Sequence, residues 1–241
     1  MTERFSLDGP DSAVAEVVLD GQALTIADIT ALTTAISTLP ADIGAVLVRS
    51  AGPDFCLGRA TGDGPPPREP ALVRETILQP ILDLYASIAQ APCPVVAAVR
   101  GHARGLGFAL ASSCDAIIAA DDAVFSLPEI QHGFAPLLAL TQVTRVVPDQ
   151  LAFHLAATGA PITAQELHHG GALPVVVADV DLDDRARRYT GELAARRPAV
   201  AAAKAFLARR TAGTTAEDAE YAARELALVL AAQPSPSGDP E

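Results

Sequence analysis

The period of apolar and polar positions changes repeatedly along the chain, and each change marks an element. Residues 14–19, VAEVVL, read as a strand, with Asp20-Gly21 as a turn behind it. Between 25 and 39, Ile26, Ile29, Leu32, Ile36 and Leu39 fall at helical spacing, and Thr25 is placed to cap them. Gly44-AVLVRS is a continuous apolar run, the pattern of a buried strand. Residues 51–70, rich in Gly, Pro and Asp, predict loop. Residues 71–90 predict a helix that Pro80 bends or splits. Pro94-VVAAV is another buried strand, followed by a glycine-broken turn over 101–107 and a small-residue helix over 107–113. Asp115-AIIAA and Ala123-VFSL are strands. The stretch 137–157 is helical with a break at Pro148, and Pro174-VVVADV is a last strand. Beyond about residue 183 the pattern is helical and charged, until PSPSGDPE, which has no periodicity and predicts a mobile tail. Strands alternating with helices over the first three quarters predict an α/β fold.

Composition narrows the partners. Half of the 241 residues are hydrophobic, which excludes a disordered chain. Lys+Arg number 17 against 29 Asp+Glu, a net charge of −12, so a general nucleic-acid binder lacks its basic face. Aromatic residues are 4% of the chain and Trp is absent, which argues against base-stacking platforms. No run approaches the roughly 18 apolar residues of a membrane span. Cys56, Cys93 and Cys114 are widely separated with no C-x-x-C spacing, so no metal site is expected. An odd cysteine count and no signal segment fit a cytoplasmic setting.

Candidate chemistry gathers in three segments: VLVRSAGPDFCLGRATG (46–62), PVVAAVRGHARGLGFALASSCDAIIAADD (94–122) and AVFSLPEIQHGFAP (123–136). Each of the first two runs from a buried strand into a glycine turn, where the backbone comes close to a ligand. In the second, Gly101, Gly105 and Gly107 lead into a helix start, whose N–H groups lack intrahelical partners. Two such loops side by side supply two N–H donors to one oxygen, an oxyanion hole. Glu129, after Pro128 and a strand, is placed to face the same space. The glycine spacing does not fit a dinucleotide fingerprint.

These residues together resemble the crotonase superfamily, the enoyl-CoA hydratase/isomerase family. The resemblance is clear over roughly residues 40–180. It rests on Phe55-Cys56-x-Gly58, Pro94-Val95-Val96-Ala97-Ala98-Val99-x-Gly101, Gly105-x-Gly107-Phe108, Cys114-Asp115, Ala119-Ala120, Ala123-x-Phe125, Pro128-Glu129-Ile130, Gly133 and Pro136. It implies a spiral of ββα turns with a helical C-terminal region: a thioester-binding core over 1–180, a helical region over 181–232 and a flexible tail over 233–241. It implies an acyl-CoA or acyl-carrier thioester as substrate, no separate cofactor, and a homotrimer or homohexamer. By motif position, the backbone N–H groups of Arg59 and Leu106 hold the thioester oxygen as it becomes an enolate. Glu129 is then the acid/base.

The chain departs from the family at one telling position. A hydratase of this family usually carries two glutamates; the second aligns with Glu129 and the first with Ala109. One carboxylate removes and returns a proton, which is isomerase chemistry, and hydration without the second group loses about 10²–10⁴-fold. His132, His102 and Asp63 are candidates to replace it. Gly58, Gly105, Gly107, Ala109, His132 and Leu137 are the expected pocket residues, and Leu137 at the pocket makes it drier and raises the pKa of Glu129. Arg59, Arg68 and Arg104 are candidates to meet CoA phosphates, a local positive patch on an acidic protein. Three functions stay open: hydratase or isomerase on an unsaturated acyl thioester, a polyketide-type decarboxylase on a carrier-bound thioester, and a non-catalytic partner that kept the fold.

Overall fold

The chain alternates between two sheets. The structure, a computed structural model, describes residues 5–8, 13–60, 69–133 and 135–210. The larger sheet holds, in spatial order, β1 (Phe5–Asp8), β2 (Val14–Leu19), β3 (Ala45–Ser50), β4 (Val95–Val99), β6 (Ala116–Ala120) and β9 (Val175–Val177). The smaller holds β5 (His102–Arg104), β7 (Val124–Ser126) and β8 (Ile162–Thr163). β1 pairs antiparallel with β2, and every other pairing in the larger sheet is parallel. Isolated bridges, Leu24 to Arg59 and Cys56 to Ala103, continue the smaller layer beyond β5. After β2, β3, β4 and β6 the chain therefore crosses to the second layer, at Leu24, Cys56–Arg59, β5 and β7, before entering its next helix. This is the spiral of ββα turns, an α/β fold.

Local sequence explains the helices. α1 (Ile26–Ser37) opens on a complete capping box: Thr25 Oγ1 accepts the Asp28 N–H and Asp28 Oδ2 accepts the Thr25 N–H. The helix expected over 71–90 is α2 (Pro70–Val73), a π-helical turn over Arg74–Leu78, and α3 (Gln79–Gln90). The widened turn lies just ahead of Pro80, which has no N–H for the ladder. α4 (Leu106–Ser113) is buried at all eight residues, as its small-residue pattern requires. The break at Pro148 separates α5 (Leu137–Val143) from α6 (Asp149–Thr158). α7 (Ala164–His169), α8 (Asp179–Ala195) and α9 (Arg197–Arg210) follow.

Four local expectations are corrected. The turn expected over 101–107 contains β5, because three residues suffice to pair with β7. The loop region expected over 51–70 carries the Cys56 and Arg59 bridges. The last strand is three residues long, and α8 begins at Asp179 inside the run read as strand. β1, β8 and α7 carry too short an apolar signal to be read from sequence.

The core lies between the sheets and α8, which packs against β3, β4 and β6 through Leu182 and Ala186. Phe108 and Phe125 stack tilted, their centroids 5.0 Å apart. Glu16 on β2 takes Arg49 at 2.6 Å and Arg187 of α8 at 2.7 Å. Burial alone would push this carboxyl up, but the two guanidiniums outweigh it and hold it below the ordinary value. Lys204, the only lysine in the chain, anchors α9: its Nζ reaches Asp115 Oδ2 at 2.9 Å and donates to the Ile88 and Cys93 carbonyls. The three cysteines are free and buried, and burial pushes the Cys56 thiol up to about 11. Among the described residues no helix is long and apolar enough to cross a membrane.

Candidate functional site

The two glycine turns meet at one cavity. Leu24 sits in a parallel bridge opposite Arg59: the Leu24 N–H donates to the Gly58 carbonyl at 2.8 Å, and the Ala60 N–H donates to the Leu24 carbonyl at 2.8 Å. That pattern spends the peptide groups either side of Arg59 and turns its own N–H the other way. Gly58, at φ +104°, adopts the left-handed backbone this corner needs. Across the cavity, the Gly105 N–H donates to Ser126 and its carbonyl accepts the Ala109 N–H, which fixes the start of α4. Leu106 is the first residue of α4, so its N–H has no partner within the helix. Arg59 and Leu106 thus bring two uncommitted N–H groups to one space of about 490 Å³.

Glu129 stands opposite, in a 3-10 turn over Pro128–His132 that follows β7. Its Oε1 lies where a Cβ on Gly105 would sit only 2.6 Å away, so residue 105 has no room for a side chain. Gly105 also has φ +50°, a second reason for glycine. Gly107 plays a different part: a Cβ there would run into the Cys56 carbonyl, so it seats α4 against the first loop and does not border the cavity. The Glu129 Oε2 is buried with no hydrogen-bond partner among the described residues. Burial pushes this carboxyl above its ordinary value, opposed in part by its own backbone N–H and by His132. A carbonyl oxygen held by two N–H donors, with a carboxyl of raised proton affinity beside it, is an arrangement for moving a proton next to a polarised carbonyl.

The other expected residues divide. Gly58, Arg104, Gly105 and His132 border the cavity, with Arg104 and His132 exposed at its rim. Arg59 is exposed too, its Nη1 donating to the Ala60 carbonyl at 3.0 Å. The acidic chain therefore does carry local positive charge at this mouth. Arg100 adds nothing to it, being paired with Asp179 at 2.9 Å and Asp183 at 3.4 Å. Leu137 does not narrow the cavity: it is 68% exposed, and the next residues of α5, Leu138 and Ala139, line the wall instead. Ala109 is wholly buried and does not border the space. His102 lies away from it, its Nδ1 2.8 Å from Asp54 Oδ1. Asp63 and Arg68 lie outside the described residues. No group of three or more His, Cys, Asp and Glu among the described residues is arranged to hold a metal.

Sequence reasoning missed Tyr85 and Ile81, which come from α3 and complete the wall. Tyr85 is only 6% exposed, and burial, with the Glu129 charge adding to it, pushes its phenol well above the ordinary value. The one signal that pointed to it was rarity, since the chain has three tyrosines.

A profile of the family described as Enoyl-CoA hydratase/isomerase matches residues 10–233. The chain belongs to the enoyl-CoA hydratase/isomerase family. Solved structures agree on the crotonase fold: an enoyl-CoA hydratase from Mycobacterium smegmatis matches with a TM-score of 0.87 and 27% identity over 94% of this chain and 91% of that one. Among curated relatives, a (7aS)-7a-methyl-1,5-dioxo-2,3,5,6,7,7a-hexahydro-1H-indene-carboxyl-CoA hydrolase of Rhodococcus jostii is 40% identical over 46% of this chain and 43% of its own. An (E)-benzylidenesuccinyl-CoA hydratase of Thauera aromatica is 33% identical over 71% of this chain and 66% of its own. The matched stretch spans a little under half the length of the Rhodococcus relative.

Proposed function

We propose that this member of the family is an acyl-CoA-processing enzyme that stabilises a thioester enolate and moves its proton with Glu129. The observation that carries this reading is the buried, unpartnered Oε2 of Glu129 at the same cavity as the uncommitted N–H groups of Arg59 and Leu106. The thioester carbonyl oxygen accepts from both N–H groups. Glu129, as carboxylate, takes a proton from the carbon next to that carbonyl, and the electron pair delocalises onto the held oxygen. Backbone donors fixed before the charge develops cost no reorganisation, and loss of one such donor is worth about 3–4 kcal/mol of barrier. Arg59 and Arg104 at the mouth meet the CoA phosphates, and the acyl group lies against Ile81, Leu106, Leu138 and Ala139. CoA enters as part of the substrate and leaves with the product. Relatives named as a hydrolase and a hydratase of CoA compounds support an acyl-CoA substrate.

The acyl outcome is hydration or double-bond isomerisation. The presence of Glu129 disfavours the decarboxylase reading, because decarboxylases of this superfamily lack a glutamate there. A panel of unsaturated and β-carboxylated acyl-CoAs with product mass as readout tests the proposal. Gain of water identifies a hydratase, and unchanged mass with a new retention time identifies an isomerase. Loss of CO2 replaces the proposal with a decarboxylase. No conversion and no thioester binding overturn it altogether.

A further inference from the structure

The family pattern leaves this site one carboxylate short, because the α4 position that carries the first glutamate is Ala109, whose methyl does not reach the cavity. Among the described residues, the side-chain hydroxyl that borders the cavity is that of Tyr85 on α3, which packs against α4. Tyr85 as a whole is 6% exposed, but its hydroxyl is not among the buried polar atoms left without a partner, in keeping with its place on the cavity wall. A phenol on a cavity wall presents an apolar ring to the core and an O–H that can donate to a ligand oxygen. Glu129 in the same cavity holds a buried acceptor oxygen that is uncommitted. Tyr85 and Glu129 thus bring a donor and an acceptor, from different elements, to one cavity, with Arg104 and His132 exposed at its rim.

We propose that Tyr85 is the second catalytic group of this site, donating its O–H to the oxygen on the β-carbon of the acyl thioester in place of the absent first glutamate. This inference rests on the enolate reading of the Arg59, Leu106 and Glu129 constellation. In the dehydration direction, Glu129 takes the α-proton and the electron pair forms the enolate held by the two N–H groups. The enolate then collapses to the carbon–carbon double bond. The Cβ–O bond breaks with its electron pair on oxygen, Tyr85 gives that oxygen its proton, and water leaves. The proton on Glu129 returns to the Tyr85 phenolate, restoring both groups. Hydration is the same path reversed.

The electrostatics agree. Burial, and then the negative charge of Glu129, raise the phenol's pKa, so Tyr85 stands protonated in the resting site, ready to donate in the dehydration direction. When Glu129 accepts the α-proton that negative charge disappears, and the phenol becomes a stronger acid at the step that needs it.

Separating the two protons tests the idea. Butyryl-CoA has no β-oxygen, so exchange of its α-proton with solvent deuterium, read by mass, reports Glu129 and the N–H pair alone. Hydration of crotonyl-CoA reports the whole set. Tyr85→Phe is expected to lower hydration by about 10²–10⁴-fold while leaving exchange within about threefold. Glu129→Gln is expected to abolish both. Hydration unchanged in Tyr85→Phe overturns the proposal. So does a parallel fall in both reactions, which would make Tyr85 a support for Glu129 or for the fold. Exchange without hydration in the unmodified protein overturns it too, while leaving the enolate reading intact. Absence of exchange in the unmodified protein sinks the enolate reading itself and the inference with it.

Discussion

Two half-buried charged side chains, Glu129 and Lys204, are treated in opposite ways. Lys204 Nζ is surrounded by acceptors: Asp115 Oδ2 at 2.9 Å and the Ile88 and Cys93 carbonyls at 2.8 and 3.0 Å. Asp115 is tied down in turn, its Oδ2 accepting the Val95 N–H at 2.8 Å. Glu129 has a buried oxygen with no partner and a cavity in front of it. A buried charge is expensive unless paired and hydrogen-bonded, so the satisfied one reads as structure and the unsatisfied one as a place where a ligand completes the network. Net charge and hydropathy do not separate these two cases; the hydrogen-bond inventory around each group does.

The largest expected effect comes from removing the unsatisfied charge. Glu129→Gln should lower thioester turnover by about 10²–10⁴-fold in steady-state assays. The same change should raise the thermal midpoint at neutral pH, since it deletes an ionised oxygen the fold does not solvate. The sign follows from linkage. The folded carboxyl binds its proton more tightly than the unfolded one, so its contribution to stability is complete below the ordinary pKa of 4.5 and is lost as pH rises through the raised folded value. A pH series of melts should therefore show Glu129→Gln gaining on the unmodified protein as pH rises. If the two curves stay parallel, Glu129 is not strained and the contrast with Lys204 fails.

Deleting the second donor is the next test. Leu106→Pro removes one N–H at the first position of α4, where proline is tolerated. It should cost about 10²–10³-fold in kcat with circular dichroism unchanged. An unaffected kcat would remove Leu106 from the oxyanion site.

The satisfied charge should behave the other way. Lys204→Met should cost about 2 kcal/mol in denaturant unfolding, because the Ile88 and Cys93 carbonyls lose their donor while the exposed Asp115 keeps the Val95 N–H and water, yet leave turnover per folded molecule unchanged. A comparable loss of turnover would mean that the α9 anchor and the cavity are coupled. The smallest effect belongs to the first helix. Thr25→Ala breaks the capping box and should cost about 1 kcal/mol, with no change in kinetics. It calibrates what a purely local structural loss looks like beside the other three.

The pH dependence of activity sharpens the same contrast. As a base Glu129 must be ionised, so the acid limb of kcat/KM should fall at a pH above 4.5. Glu166, held low by hydrogen bonds from the Thr163 backbone and hydroxyl at a helix start, has no place in that profile.

The strands β2, β3, β4 and β6, the capped α1 and the two glycine turns were legible in sequence because period, caps and glycines are local signals. Gly58, Gly105 and Glu129 came from the same source, since turn chemistry at the ends of buried strands is written in adjacent residues. Leu138, not the candidate Leu137, lines the cavity: one step along α5 rotates a side chain by about 100°, and only packing decides which of the two turns inward. Tyr85 was missed for a related reason. It sits on an ordinary amphipathic helix far from every motif, and only the spiral brings α3 against α4.

By itself, then, the sequence determined the alternating strands, the two turns with uncommitted N–H groups, and a lone glutamate where the family carries a pair. It also determined an acidic, aromatic-poor chain in which a cavity must be walled mainly by aliphatic side chains. Tertiary structure alone decided that Arg59, Leu106, Glu129 and Tyr85 share one cavity, and that Lys204 is spent on holding α9. It also decided that two arginines put positive charge at the mouth of a protein with net charge −12. The reason is physical. Hydrogen-bond satisfaction, burial and local charge depend on groups tens of residues apart in the chain, and no window of sequence contains them.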